Sequence, residues 1–273
     1  MENAPIPSGL RYLEPSPLGA LAVARHQVSR PRATLIAIHG GLDRASSFTR
    51  LSRRLDDFDV IAYDRRGYQQ SRSLGPGTLD QDIDDLRRVI AWSTETTGSS
   101  AAPVLFGHSF GGLVAMALIA VRPEAAVLTV AYESPLPWVV PRPSPSTAAG
   151  ESPAREAERF FRRVVSDSSW ERLSAVEQES RRLDGPALSA DLREMTTARP
   201  PFTLDEIRSP VRYLYGDQRD TPYYHELART LTQANPFFEV RELVATPHGA
   251  HLSHPDLLAA EVREAFDNVV RRP

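Results

Sequence analysis

A chain of 273 residues, 41% of them apolar, is long enough for one large domain with a real core, alone or with a smaller insertion. Its net charge of -3 offers no basic surface for nucleic acid. It has no cysteine, and all 32 basic residues are arginine, which excludes disulfides, thiolate metal sites, a cysteine nucleophile and lysine Schiff-base chemistry.

Residues 1–20 are broken by Pro5, Pro7, Pro15 and Pro17 and lack the apolar stretch of a signal peptide. No apolar run is long enough to cross a bilayer. A cytoplasmic protein without nucleic-acid or membrane partners is expected. Strand-like apolar runs then alternate with helical periodicity, the mark of an α/β fold with a mostly parallel sheet. Ala33–His39 predicts a buried strand, Ser46–Leu55 a helix, and Asp59–Asp64 a strand ending at Arg65-Arg66-Gly67. Leu79–Trp92 has helical spacing, with Ile83, Leu86, Val89 and Ile90 on one face. Pro103–Phe106 reads as a strand, Ser109–Val121 as a helix, and Ala126–Tyr132 as a strand that ends at Glu133.

Composition changes at Ser134–Gly150, where Pro135, Pro137, Pro141, Pro143 and Pro145 fit an exposed linker. Helices are predicted at Pro153–Asp167, Trp170–Arg182 and Leu188–Thr197. The organisation expected is a core over 1–133, a helical cap over 134–208 and the rest of the core over 209–273. In that last part Pro210–Gly216 and Phe238–Val244 read as strands, and Pro222–Ala234 and Asp256–Val270 as helices.

The most informative stretch is Val104-Leu105-Phe106-Gly107-His108-Ser109-Phe110-Gly111-Gly112. An apolar strand runs through Gly-x-Ser-x-Gly into a helix, the context of a nucleophile elbow. A serine hydroxyl is a weak nucleophile, so it needs a base, and the base needs an orienting carboxylate. The base is expected in the loop after the last strand, where His248, His251 and His254 occur. His248 follows the strand soonest, and His254 directly precedes Pro255. Three carboxylates are candidates for the acid. Asp220 lies in the loop after the strand at 210–216, Glu133 ends the strand after the elbow helix, and Asp217 could instead cap its own turn. The oxyanion hole needs two N–H donors. Phe110 should supply one and Gly41, in His39-Gly40-Gly41-Leu42-Asp43, the other, with Leu42 as second choice. Leu42, His108, Trp138, Phe160 and Phe161 are candidate substrate contacts, and Trp170 a further lining residue. No metal-ligand spacing is recognisable outside the 248–254 loop, so no metal and no cofactor is expected.

The motifs His39-Gly40-Gly41, Asp64-Arg65-Arg66-Gly67-Tyr68, Gly107-His108-Ser109-Phe110-Gly111-Gly112 and Pro247-His248-Gly249 together resemble the α/β-hydrolase fold superfamily over most of the chain. The last two resemble cofactor-free haloperoxidase/esterase-like and C–C hydrolase-like members. In these the loop histidine precedes the terminal helix as His248 precedes Pro255. Tyr132-Glu133-Ser134-Pro135-Leu136-Pro137-Trp138 is similar to small bacterial hydrolases with a helical cap. One departure concerns the acid. Where the family usually has it, three residues past the strand-end glycine, this chain has Arg219, with Asp220 one further on. Some members take the acid from the position of Glu133. The resemblance implies a serine hydrolase for an ester, lactone or thioester with an apolar acyl or ring portion. A C–C bond hydrolase and a non-catalytic small-molecule receptor are the alternatives.

Overall fold

The computed structural model describes residues 9–142, 150–196, 199–218 and 221–271. Its strands are β1 (Arg11–Tyr12), β2 (Val23–His26), β3 (Ala33–Ile38), β4 (Phe58–Tyr63), β5 (Val104–His108), β6 (Leu128–Tyr132), β7 (Val211–Gly216) and β8 (Phe238–Leu243). The helices are α1 (Thr49–Arg54), α2 (Leu79–Thr97), α3 (Phe110–Val121), α4 (Pro153–Val164), α5 (Asp167–Glu171), α6 (Ala175–Leu183), α7 (Gly185–Glu194), α8 (Thr221–Ala234), α9 (Ala250–Ser253) and α10 (Pro255–Val270). One sheet has the order β1-β2-β4-β3-β5-β6-β7-β8. β1 and β2 are antiparallel additions at one edge, and β4 through β8 run parallel.

Alternation along the strands feeds two cores, as successive side chains must point to opposite faces. Ile36, Ile38, Leu105 and Tyr213 pack with α2, α3 and α8 on one face. Leu35, Ala37, Val104 and Phe106 pack with α1 and α10 on the other. Both faces are covered, so the central strands read as unbroken apolar runs. α2 starts at a Thr78/Gln81 capping box and ends at left-handed Gly98. α3 is apolar on nearly every side because it is buried on nearly every side. The chain builds β4 on one side of β3 and then crosses to place β5 on the other. The carboxyl ends of β3 and β5 therefore diverge into a crevice at this switch point, where a ligand can enter.

Between β6 and β7 the chain forms α4 to α7. The helix predicted over Trp170–Arg182 is in fact two helices, α5 and α6. Ser174 accepts the Glu177 N–H while the Glu177 carboxylate accepts the Ser174 N–H, and this capping box starts a new helix inside the apolar pattern. Ala157, Phe161, Trp170, Leu188 and Leu192 of this insertion pack with Leu42 and Tyr68 of the sheet domain. No helix among the described residues is long and apolar enough to cross a membrane.

A buried ionic network fixes the insertion to the sheet. Arg65, with 1% of its side chain exposed, meets Asp191 of α7 through two hydrogen bonds of 2.9 and 2.6 Å. It meets Asp82 of α2 at 3.3 Å, and the Tyr68 hydroxyl donates to Asp191 at 2.7 Å. Two carboxylates thus share one guanidinium in a water-poor site. Burial raises the Asp191 carboxyl to about 7 against Arg65, with Asp82 acting in the same direction as burial. A raised acid pKa means the folded chain holds the proton more tightly than the unfolded one. That contribution to stability is complete below about pH 4 and is lost as pH rises through 7. Asp191→Asn, a neutral isostere, is therefore expected to flatten the fall in Tm between pH 5 and 8. Asp191→Ala should cost about 3–5 kcal/mol at pH 8, because it strips a partner from a buried cation. Thermal melts across pH check both, and parallel profiles for Asn and wild type would refute the shift.

Candidate active site

Ser109 is the residue after β5 and sits at φ 54°, ψ -123°, a conformation costly for a residue with a side chain. Backbone and side-chain hydrogen bonds hold it there. Its N–H donates to Tyr132 O at 2.8 Å, which prolongs the β5–β6 ladder, and its carbonyl accepts the Ser134 hydroxyl at 2.8 Å and the Gly112 N–H at 3.0 Å. The sharp turn also needs clearance. A Cβ at Gly111 would lie 2.1 Å from the Ile38 carbonyl oxygen, so the elbow helix rests directly on the end of β3. A Cβ at Gly40 would lie 2.8 Å from the Ser109 Cβ, so the loop after β3 passes against the serine. His39 fixes that loop. Its Nε2 accepts the Arg65 N–H at 2.8 Å, so its Nδ1 donates to the Gly40 carbonyl at 2.7 Å. Burial and the charge of Arg65 push this imidazole down to about 3, which keeps it neutral.

Glu133 follows β6 at φ 46° and is 1% exposed. One carboxylate oxygen accepts the Gly216 N–H at 2.9 Å, and the other meets His248 Nδ1 at 2.5 Å. The Glu133 carbonyl accepts the Tyr224 hydroxyl. The His248 loop is itself anchored, since the Tyr132 hydroxyl donates to Pro247 O at 2.6 Å and the Thr246 N–H donates to Asp217. Asp217 thus caps the turn. Asp220 and Arg219 lie outside the described residues. Ser109, Glu133 and His248 line one cavity of about 810 Å³. No hydrogen bond yet joins Ser109 to His248 among the described residues, and such contacts commonly close only around substrate.

The cavity walls are mostly apolar. Pro135, Pro137 and Val140 come from the segment after β6, Phe160 and Val164 from α4, and Leu192 and Met195 from the end of α7, with Arg142 and Arg163 at exposed positions. Of the candidate contacts, Phe160 faces this cavity. Phe161 turns to Trp170 at 5.4 Å between ring centroids, because that side of α4 forms the interior of the insertion. Trp138 packs edge-on against Phe202 at 5.3 Å. Leu42, at φ 55°, is buried beneath α7 and gives its carbonyl to Arg181. Gly41 lies against Leu188 of α7, and Phe110 opens α3 with Arg65 4.6 Å above its ring. The Phe110 N–H is among the first of its helix and has no intrahelical acceptor.

His108 does not line this cavity. Its Nε2 lies 3.0 Å from the His248 carbonyl and its Nδ1 faces Asp43, which His251 also approaches. Burial works to raise the Asp43 carboxyl, but the two imidazoles outweigh it and hold it well below the usual range. Burial, with His251 acting in the same direction, pushes His108 down to about 3. No sequence pattern links Asp43, His108 and His251, because they come from a loop, a strand end and a short helix with no common spacing. His251 stands three residues past His248, the one available hint.

The sequence profile of the alpha/beta hydrolase family matches residues 35–261. This chain belongs to that family. It is 33% identical over 110 residues, 40% of each chain, to the lipase LipV of Mycobacterium tuberculosis. It is 33% identical over 109 residues, 37% of its own length and 50% of the other, to a serine hydrolase-like protein of Homo sapiens. The alignments thus span half or less of these relatives. Among solved structures, the carboxylesterase CesB of Bacillus subtilis superposes with a TM-score of 0.68 at 19% identity, covering 96% of this chain and 92% of that one. This last likeness concerns the fold alone.

The elbow of this alpha/beta hydrolase makes a stability prediction that does not depend on substrate. Gly111→Ala drives a methyl group into the Ile38 carbonyl and should cost about 3 kcal/mol. Tm should then fall by roughly 6–12 °C. Gly249→Ala meets nothing within 4 Å and should leave Tm unchanged. Equal melts for the two variants would show that the helix does not rest on β3 as described.

Proposed function

We propose that this protein is a serine hydrolase that cleaves carboxylic esters, thioesters or lactones with an apolar acyl or ring portion. The observation that carries this reading is the 2.5 Å pairing of His248 with buried Glu133 in the cavity that Ser109 lines. Glu133 can only accept, so Nδ1 of His248 carries the proton and Nε2 is left as the base. His248 removes the Ser109 proton as Oγ attacks the carbonyl carbon. The oxyanion is held by the N–H groups of Phe110 and Gly41. His248 then gives its proton to the leaving oxygen or sulfur, and an acyl-Ser109 ester remains. Water, deprotonated by His248, releases the acid and restores the serine. The helices of residues 153–194 act as a cap, and Phe160, Leu192 and Met195 supply its apolar wall. The similarity to a lipase and to a serine hydrolase-like protein supports the same class.

The test is labelling by a fluorophosphonate, read by intact and peptide mass spectrometry, followed by p-nitrophenyl ester and thioester kinetics. Ser109 should carry the label, and Ser109→Ala and His248→Ala should abolish it. Glu133→Gln should lower kcat by about 10²–10⁴-fold, and Asp220→Asn by less than about 10-fold. Labelling that survives Ser109→Ala would reject the nucleophile. A large loss with Asp220→Asn and none with Glu133→Gln would move the acid to Asp220.

A further inference from the structure

Behind the His248 loop, three side chains converge on one point. Asp43 comes from the loop after β3, His108 from the last position of β5 and His251 from α9. His251 Nε2 lies 3.0 Å and His108 Nδ1 3.7 Å from the same oxygen, Asp43 Oδ2. One ligand-type atom from each residue falls within 4.8 Å of the others. Both histidines are buried, His251 at 1% exposure and His108 at 6%. Asp43 Oδ2, His108 Nδ1 and His251 Nε2 are all shut off from solvent, and none completes a hydrogen bond. Three orphaned polar atoms in one spot are costly and need a cause.

The tautomer of His108 narrows that cause. Its Nε2 faces a backbone carbonyl at 3.0 Å, and a carbonyl only accepts, so Nε2 carries the hydrogen. In the neutral ring Nδ1 is then a bare lone pair, and it looks at a carboxylate oxygen, which is also bare. Lone pairs facing each other call for a positive centre between them. A proton on Nδ1 would have to bridge 3.7 Å, too far for a good hydrogen bond.

A four-coordinate zinc ion has bonds of about 2.0–2.2 Å, which puts neighbouring ligand atoms about 3.3 Å apart. The two separations from Asp43 Oδ2, 3.0 and 3.7 Å, bracket that value, and the two imidazole nitrogens lie within 4.8 Å of each other. Two of the three ligands also have fitting outer contacts. A metal-bound histidine ordinarily donates its other N–H to a carbonyl, as His108 does, and a bound carboxylate is itself hydrogen-bonded, as Asp43 is by the Ser47 hydroxyl, whereas His251 Nδ1 is buried without a partner. Two imidazoles with one carboxylate suit zinc or a similar first-row ion rather than calcium or magnesium, which prefer all-oxygen sites. We propose that Asp43, His108 and His251 form a binding site for a zinc-class divalent cation, which ties the loop after β3 to the loop that carries His248. None of the three residues lines the cavity that holds Ser109 and His248.

The test uses tag-free, chelator-treated full-length protein and zinc chloride, with metal stoichiometry from plasma mass spectrometry, affinity from calorimetry and Tm from thermal melts. One zinc per chain and a higher Tm are expected in wild type and in His248→Ala. His251→Gln and Asp43→Asn should lose the site. Because ligand variants can fold poorly, Ser47→Ala provides a milder check and should weaken binding by about 10–100-fold. Cobalt(II) added to wild type should give the intense visible bands of a four-coordinate site. Sub-stoichiometric zinc with no gain in Tm would overturn the proposal. So would undiminished binding in His251→Gln and Ser47→Ala, and so would a loss of binding in His248→Ala, which would place the ion on His248.

Discussion

Everything at the crevice depends on how closely the helix after Ser109 approaches the end of β3. Where a Cβ at Gly111 would stand there is already the Ile38 carbonyl, and where a Cβ at Gly107 would stand there is Gly112 Cα. Because no side chain separates them, the chain can reverse within one residue, and Ser109 absorbs the strain at φ 54°. The same close approach brings Gly40 against the serine, so the loop after β3 and the start of α3 flank one small volume. Strain at this turn is held by the β5–β6 ladder and by Ser134, whose hydroxyl binds the Ser109 carbonyl. A site of this kind needs a rigid floor, and five parallel strands buried on both faces supply one.

Buried charge does a second job in this molecule. Arg65 follows β4 yet reaches Asp82 on α2 and Asp191 on α7, and its guanidinium lies over the ring of Phe110. One cation therefore ties the sheet, a flanking helix, the helical insertion and the residue beside the serine. Such a pair contributes little net stability over an apolar contact, but it tolerates no missing partner. Together with the Tyr68 hydroxyl it holds Asp191 of α7, the helix whose Leu192, with the following Met195, lines the cavity wall. His39 adds to the same system by taking the Arg65 N–H on one ring nitrogen and holding Gly40 with the other.

The apolar strands at 33–39, 59–64 and 210–216, the elbow at 107–112 and the proline-rich break after Glu133 were legible in the chain itself, because each rests on local periodicity or turn chemistry. The break between α5 and α6 was less so. Ser174 and Glu177 form a capping box, but the surrounding pattern of Trp170, Leu173 and Val176 continues at helical spacing and hid it. Phe160 and Phe161 are neighbours in sequence and diverge in space, one toward the cavity and one into the insertion. Adjacent positions on a helix point about 100° apart, and only the docking of α4 decides which of them meets a ligand.

By itself the sequence determined the kind of fold and singled out Ser109 as the candidate nucleophile, since an apolar strand, a glycine-flanked turn and an apolar helix occur within a dozen residues and constrain one another through local sterics. It also confined the histidine to one short loop. Which carboxylate meets His248 was decided by tertiary structure alone. Glu133 and Asp220 both follow strand ends, and no local rule separates them. Glu133 is 115 residues from His248, and it reaches the ring because β6 lies between β5 and β7 and Glu133, the residue after β6, turns at φ 46° toward the Gly216 N–H. The convergence of Asp43, His108 and His251 has the same origin. Asp43 follows β3, His108 ends the neighbouring β5, and His251 is carried in on α9 after β8, so only the folded chain brings the three together.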